Sequence, residues 1–219
     1  MDFRFPLFIL AFAMTMIVSA ESTTQAVSMT NPGAATCNTP SPYYQEAGDA
    51  YFDLETDFKF EPAEEKRLKE MYQYLAGDWQ GTLIESQCKG SDKNPRRVSR
   101  TAEVKVTAKE GIFNNMVIRT EKHYPKERIT KSDHYDLFDE RHIFDFRFNE
   151  QEIETTQKYR RRIIGVGGVY GSKPAGISRK SNLVERVFNI RTTSRGYTLA
   201  MTVYTNGYLT DHEVFTLHK

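Results

Sequence analysis

The chain has 219 residues, and its 30 basic side chains nearly balance 29 acidic ones, for a formal net charge of +1. That balance removes any electrostatic case for binding nucleic acid or an acidic membrane surface. The length suits one domain, and an aromatic content of 12% suits a β-rich core.

Residues 1–20 read as a secretory signal peptide. Arg4, offset by Asp2, precedes an apolar run from Phe5 to Val18, and Val18-Ser19-Ala20 supplies the small residues of a cleavage site. The run is too short to span a bilayer comfortably, and no later segment is long and apolar enough to do so. The mature chain is therefore expected to carry no transmembrane segment and to be periplasmic or extracellular. Residues 21–44, rich in Ser, Thr, Pro, Asn and Ala, read as a flexible arm that buries too little surface to order itself. The folded domain is expected over residues 45–219.

Cys37 and Cys88 are the two cysteines, both in the exported part. In an oxidising compartment such an isolated pair most simply forms one disulfide. Closing a loop of roughly fifty residues contributes up to about 4 kcal/mol on the chain-entropy argument. Two cysteines without a nearby histidine make a poor zinc site, and no metal centre is expected.

Aromatic residues between Tyr51 and Phe60 predict a segment packed on the domain. Pro62 suits the first turn of a helix, and Glu61, Glu64 and Glu65 favour its positive end. Leu68, Met71, Tyr72 and Leu75 recur on one helical stripe. The spacing predicts a helix over about 62–75, with Gly77 as its C-terminal cap.

After Trp79 the apolar period changes to two. Val98, Ala102, Val104, Val106 and Ala108 alternate with polar residues, as in a strand with one wet face. Strands are predicted over residues 78–87, 98–108, 113–124, 128–138, 141–148, 151–163, 183–193, 197–205 and 208–217. Asn206-Gly207 is the strongest hairpin signal. Eight to ten short-turned antiparallel strands favour closure into an up-and-down barrel, which removes sheet edges. The fold class is all-β.

Leu75-Ala76-Gly77-Asp78-Trp79-Gln80-Gly81, preceded by a short helix, resembles the opening motif of the calycin superfamily, which holds the lipocalins and fatty-acid-binding proteins. The resemblance implies a β-barrel whose closed end is plugged by Trp79, with Gly77 and Gly81 structural. It also implies a late basic residue over the Trp79 ring, for which Arg186 and Arg191 are the candidates. A Thr-Asp-Tyr-type triplet, the second lipocalin motif, is absent.

The glycine run from Gly165 to Gly171 has Tyr170 where a nucleotide loop needs its third glycine and no following helix. Residues 164–182 are expected to form a long loop, and a lid over the barrel mouth is the sharper reading. In Lys158-Tyr159-Arg160-Arg161-Arg162, alternation puts Lys158, Arg160 and Arg162 on one face and Tyr159 and Arg161 on the other. The first face is expected to be solvated; Arg161 is a candidate for an inward contact to a ligand carboxylate. His212 alternates away from Asp211 and Glu213, and His134 from Asp133, so neither makes a catalytic dyad. No serine nucleophile elbow and no metal-ligand spacing is present.

The expected function is thus non-catalytic: binding of a small, mainly apolar molecule inside the barrel. Candidate lining residues are Met116, Ile118, Phe144, Phe146, Phe148, Tyr159, Arg161, Tyr197 and Met201, with Leu199 and Val203 on the same later strand. One alternative is a filled barrel that acts as an envelope or secreted interaction module with a protein partner. Another is a haem-binding barrel using His212 or His218; otherwise no cofactor is expected.

Overall fold

The computed structural model describes residues 37, 39–91, 94–112, 114–149, 152–166 and 177–219, with the side chains of 90–94 and 162–181 excepted. The signal-peptide reading of 1–20 and the arm up to residue 36 lie outside the described residues. Two helices, α1 (Pro42–Ala47) and α2 (Pro62–Leu75), precede nine strands: β1 (Gly77–Ser91), β2 (Asn94–Glu110), β3 (Met116–Tyr124), β4 (Ile129–Leu137), β5 (Ile143–Phe148), β6 (Glu152–Val166), β7 (Ile177–Thr193), β8 (Gly196–Thr205) and β9 (Tyr208–His218). No described helix is long and apolar enough to cross a membrane.

Helix α2 begins where its sequence says it should. Pro62 occupies the first turn, and Glu61 and Glu64 satisfy each other's backbone N–H groups in a capping box. Leu68, Tyr72 and Leu75 are buried on one stripe. Gly77 leaves the helix at φ +118°, a conformation that L side chains rarely adopt. Gly81 has a different reason. A Cβ there would lie 1.9 Å from the Thr216 carbonyl oxygen, so only glycine lets β9 approach β1.

The strands form one antiparallel sheet in the order β4-β3-β2-β1-β9-β8-β7-β6-β5, curled into a half-barrel. The first strand pairs with the last, Leu83 facing Phe215, so the meander returns on itself. Asn206 and Gly207 both have positive φ, 51° and 87°, as the tight hairpin requires. Among the described residues no ladder joins β4 to β5. The side chain of Gln157 spans this gap. With its amide oxygen turned toward the chain, it accepts from the Phe138 and Asp139 N–H groups at 3.2 Å and donates to the Asp136 carbonyl at 3.0 Å.

Four local expectations change. The strand expected from residue 141 starts at Ile143, because Glu140–His142 is a 3-10 turn. There Asp139 accepts from the Arg141 backbone at 3.2 Å and from its guanidinium at 2.9 and 2.7 Å, so local side-chain bonding competes with the ladder. A register break between Ile143 and Asp145 follows, and it turns Phe144 away from the face of Phe146 and Phe148. The loop expected over 164–182 is largely strand, since β6 and β7 stay paired out to Val166 and Ile177. Residues 167–176, and with them the lid reading, lie outside the described residues.

The fourth change concerns the arm. Thr39 to Phe52 lies along the outside of the half-barrel. The Leu209 N–H donates to the Thr39 carbonyl and the Ser41 N–H to the Gly207 carbonyl, at 2.9 and 2.7 Å, and Cys37 is disulfide-bonded to Cys88 of β1. Beneath the arm, Lys158 and Glu185 face each other across the β6–β7 ladder. They are 3% and 0% exposed, so the outer face expected to be solvated is a second interior here. Lys158 Nζ sits 3.5 Å from the Phe144 ring centroid and 4.4 Å from that of Tyr51. Ser41 donates to Glu185 at 2.7 Å.

Candidate functional site

The inner face of the half-barrel has two tiers. At the end covered by α2, Trp79 is 4% exposed and packs within the main apolar cluster with Leu75, Met116, Ile118, Ile190, Tyr197 and Leu217. Its indole N–H donates to the Leu75 carbonyl at 2.7 Å, closing the C-terminal end of α2. Tyr197 meets the ring edge-on at 4.9 Å. The cation over the indole is Lys219, at 4.8 Å. Neither expected residue takes that place: Arg186 lies over Tyr159 and Tyr135, at 4.9 and 5.8 Å, and Arg191 is exposed.

The second tier, toward the other end of the strands, is polar. Glu85, Lys122, Tyr124, Tyr135 and Glu213 continue inward positions occupied by Leu83, Ile118, Leu137 and Phe215 lower down. Lys122 is 1% exposed. Its ammonium donates to Glu213 at 2.8 and 3.0 Å and to Tyr135 at 2.8 Å, and lies 3.0 Å from Asp133. Tyr135 also donates to Glu213, at 2.9 Å. Beside it Glu85 accepts from Arg100 at 2.9 and 3.1 Å and from Tyr124 at 2.6 Å. Sequence reading missed this tier. Its signal was the in-phase placement of Lys122 two residues beyond Thr120 and four beyond Ile118, and of Glu85 beyond Trp79, Gly81 and Leu83.

Burial pushes the Glu213 carboxyl above the ordinary carboxylate range in spite of Lys122. Burial also disfavours the Lys122 charge, but Glu213 and Asp133 outweigh it and hold the ammonium above its ordinary value. At Glu85 burial pushes upward as well, yet Arg100 and Tyr124 prevail and hold the carboxyl below its ordinary 4.5. A carboxylate lowered by folding contributes stability above its unfolded pKa and loses it as pH falls through the folded one. Glu85→Gln is therefore expected to be less stable than wild type at pH 7, with the gap closing below about pH 4.5. Denaturant melts at pH 7 and pH 3 measure this, and a gap that stays constant would mean Glu85 is not ionised in the fold.

The expected lining residues separate. Met116, Ile118, Tyr197 and Met201 are packed in the main core, and Phe146, Phe148 and Val203 are half-buried against it. Tyr159 points inward, half-buried, its hydroxyl enclosed without a hydrogen-bond partner. Phe144 is on the outside with Lys158 and Tyr43, and Arg161 is exposed. Among the histidines, His212 faces outward, buried, with Nδ1 2.9 Å from the Thr202 hydroxyl; Glu213 faces inward. His134 and His218 line an open groove of about 820 Å³ on the outer face of β1–β4 with Gln80, Lys105, Arg119 and Glu121. Among the described residues no group of three or more His, Cys, Asp or Glu could hold a metal ion.

No protein-family model matches this sequence, and no match was found among curated proteins. The calycin resemblance thus stands on the Gly77-Asp78-Trp79-Gln80-Gly81 motif and on the antiparallel half-barrel that follows it.

Proposed function

We propose that the protein is an exported, non-catalytic binding protein whose half-barrel holds a small, mainly apolar molecule above the Trp79 plug. One observation carries this reading. Phe146 and Val203 face inward and pack on the core, yet remain half-exposed. Val203, on β8, and Phe146, whose ring on the six-residue β5 also meets Phe60 edge-on at 4.9 Å, leave part of their apolar surface uncovered. Apolar walls with a few convergent polar groups are the usual make-up of a small-molecule site. The Cys37–Cys88 bridge supports export, because such bonds persist in oxidising compartments. The positions of His212 and His218 away from the inner face favour an apolar ligand over haem.

The test is fluorescence titration with N-phenyl-1-naphthylamine, a neutral apolar dye, on wild type and Phe146→Trp. Binding to wild type that weakens in the variant, with thermal stability nearly kept, is the expected result. Should wild type bind no dye and the variant lose about 1–3 kcal/mol, the usual cost of overpacking, the barrel is filled. The interaction-module reading would then replace this one.

A further inference from the structure

The two margins of the curled sheet are not alike. At β5 the Thr56 hydroxyl donates to the Ile143 carbonyl at 2.8 Å, and Phe58 and Phe60 pack beside Phe146. On the other side the strand order ends at β4. The last part of β4 is covered: Tyr135 and Leu137 are buried, and Gln157 bonds the Asp136 carbonyl. Ile129 to His134 are exposed on both faces of the strand, and no described residue bonds the outward backbone there. From this edge we propose that residues 129–135 of β4 join two copies of this chain in a two-fold antiparallel pair.

Two bonds fix which backbone groups face outward. The Asp136 carbonyl meets Gln157 on the open side, and the Asp133 carbonyl meets the Thr120 hydroxyl of β3 at 3.4 Å. Alternation then turns the N–H and C=O groups of Thr130, Ser132 and His134 to the open side. An unpaired row of this kind is a template for another strand. The side chains decide the register. Centred on Ser132, the pairing sets Lys131 opposite Asp133 of the second copy, Thr130 opposite His134 and Ile129 opposite Tyr135. It also bonds every outward group of Thr130, Ser132 and His134. Of the neighbouring registers, one centred on Lys131 sets cation against cation and one centred on Asp133 sets anion against anion. Like charges directly opposite destabilise a ladder. A centre between two residues would set inner side chains against outer ones, because a slip of one residue exchanges the faces. Lys131 alone would be the inward charge that blunts an edge. Asp133, still 47% exposed beside Lys122, turns that charge into a match for one register, and the strand that carries the match is β4 itself.

The experiment is sedimentation velocity on the disulfide-bonded protein, with a thermal melt of each variant. Wild type should pass from monomer to dimer between about 5 and 500 μM, since one strand edge is smaller than a standard interface. Lys131→Asp sets like charges opposite each other and should weaken association at least about 10-fold. Ser132→Pro removes the outward N–H at the two-fold centre and should abolish the dimer. Its melting temperature should stay close to that of wild type, because proline is tolerated on an edge strand where the N–H faces solvent. If the proline variant fails to fold, Lys131→Asp and a cross-link decide. Under mild oxidation Ser132→Cys should form a covalent dimer, since directly opposed residues lie about 5.5 Å apart, within disulfide reach. Thr130→Cys should cross-link to His134→Cys and not to itself. A wild type that stays monomeric over the whole range would overturn the pairing. A dimer that ignores Lys131→Asp and is not trapped by Ser132→Cys would overturn it as well, since its interface would lie elsewhere.

Discussion

Lys122→Met is expected to destabilise the fold by about 3–5 kcal/mol, the usual cost of breaking a buried ion pair by removing one partner. The ammonium is what makes the buried Glu213 carboxylate tolerable, and it also bonds Tyr135. Methionine fills similar space but leaves that carboxylate facing another one at Asp133. Two further measurements separate this cause from a packing defect. Adding Glu213→Leu should recover most of the loss, since replacing both members of a buried pair by apolar groups is often neutral. The single variant should also suffer less in acid, because a carboxyl without its cation protonates more readily and the neutral form is cheaper to bury. A deficit that ignores pH and is not rescued would place the cost elsewhere.

Trp79→Ala is expected to cost about 3–5 kcal/mol, the range for removing a large buried aromatic. Three contacts go at once: the edge-on packing with Tyr197, the cover given by Lys219, and the bond to the Leu75 carbonyl. The last matters beyond its own energy, since it satisfies a carbonyl of the terminal turn of α2. Trp79→Phe keeps most of the ring and loses that bond, so its deficit should be smaller than that of alanine. Denaturant melts of the two variants measure both. A loss below about 1 kcal/mol for alanine, the level of an ordinary surface substitution, would contradict the plug.

The regular parts of this fold were legible because they repeat. Alternation located all nine strands, and the apolar stripe with Pro62 located α2 to the residue. What stayed hidden depends on partners far along the chain. The segment Thr39–Phe52 has no period of its own. Its order comes from β7, from the β8–β9 hairpin and from a disulfide, none of them local. Lys158 read as a surface charge because nothing in its own strand announces the arm that covers it. Phe144 was misplaced because one irregular step inverts alternation. Phe146, Tyr159 and Met201 lie on the inner face, as strand alternation places them. Phase alone cannot say which ring an arginine reaches across a curled sheet, so the place of Arg186 over Tyr159 and Tyr135 rather than Trp79 was not legible.

The pairing of β1 with β9 carries a kinetic consequence. Leu83 meets Phe215 only after the whole meander has been laid down, and the contact of Ser41 with Glu185 spans 144 residues. Contacts this far apart must overcome loop-closure entropy before they return any energy. During synthesis, the strands from β1 to β4 can pair among themselves while the other edge of β1 waits for its partner. That waiting edge is the place where a second, equally unfinished chain could pair instead. The disulfide joins the arm to this same strand, so a chain oxidised early presents β9 with an anchored template rather than a free one.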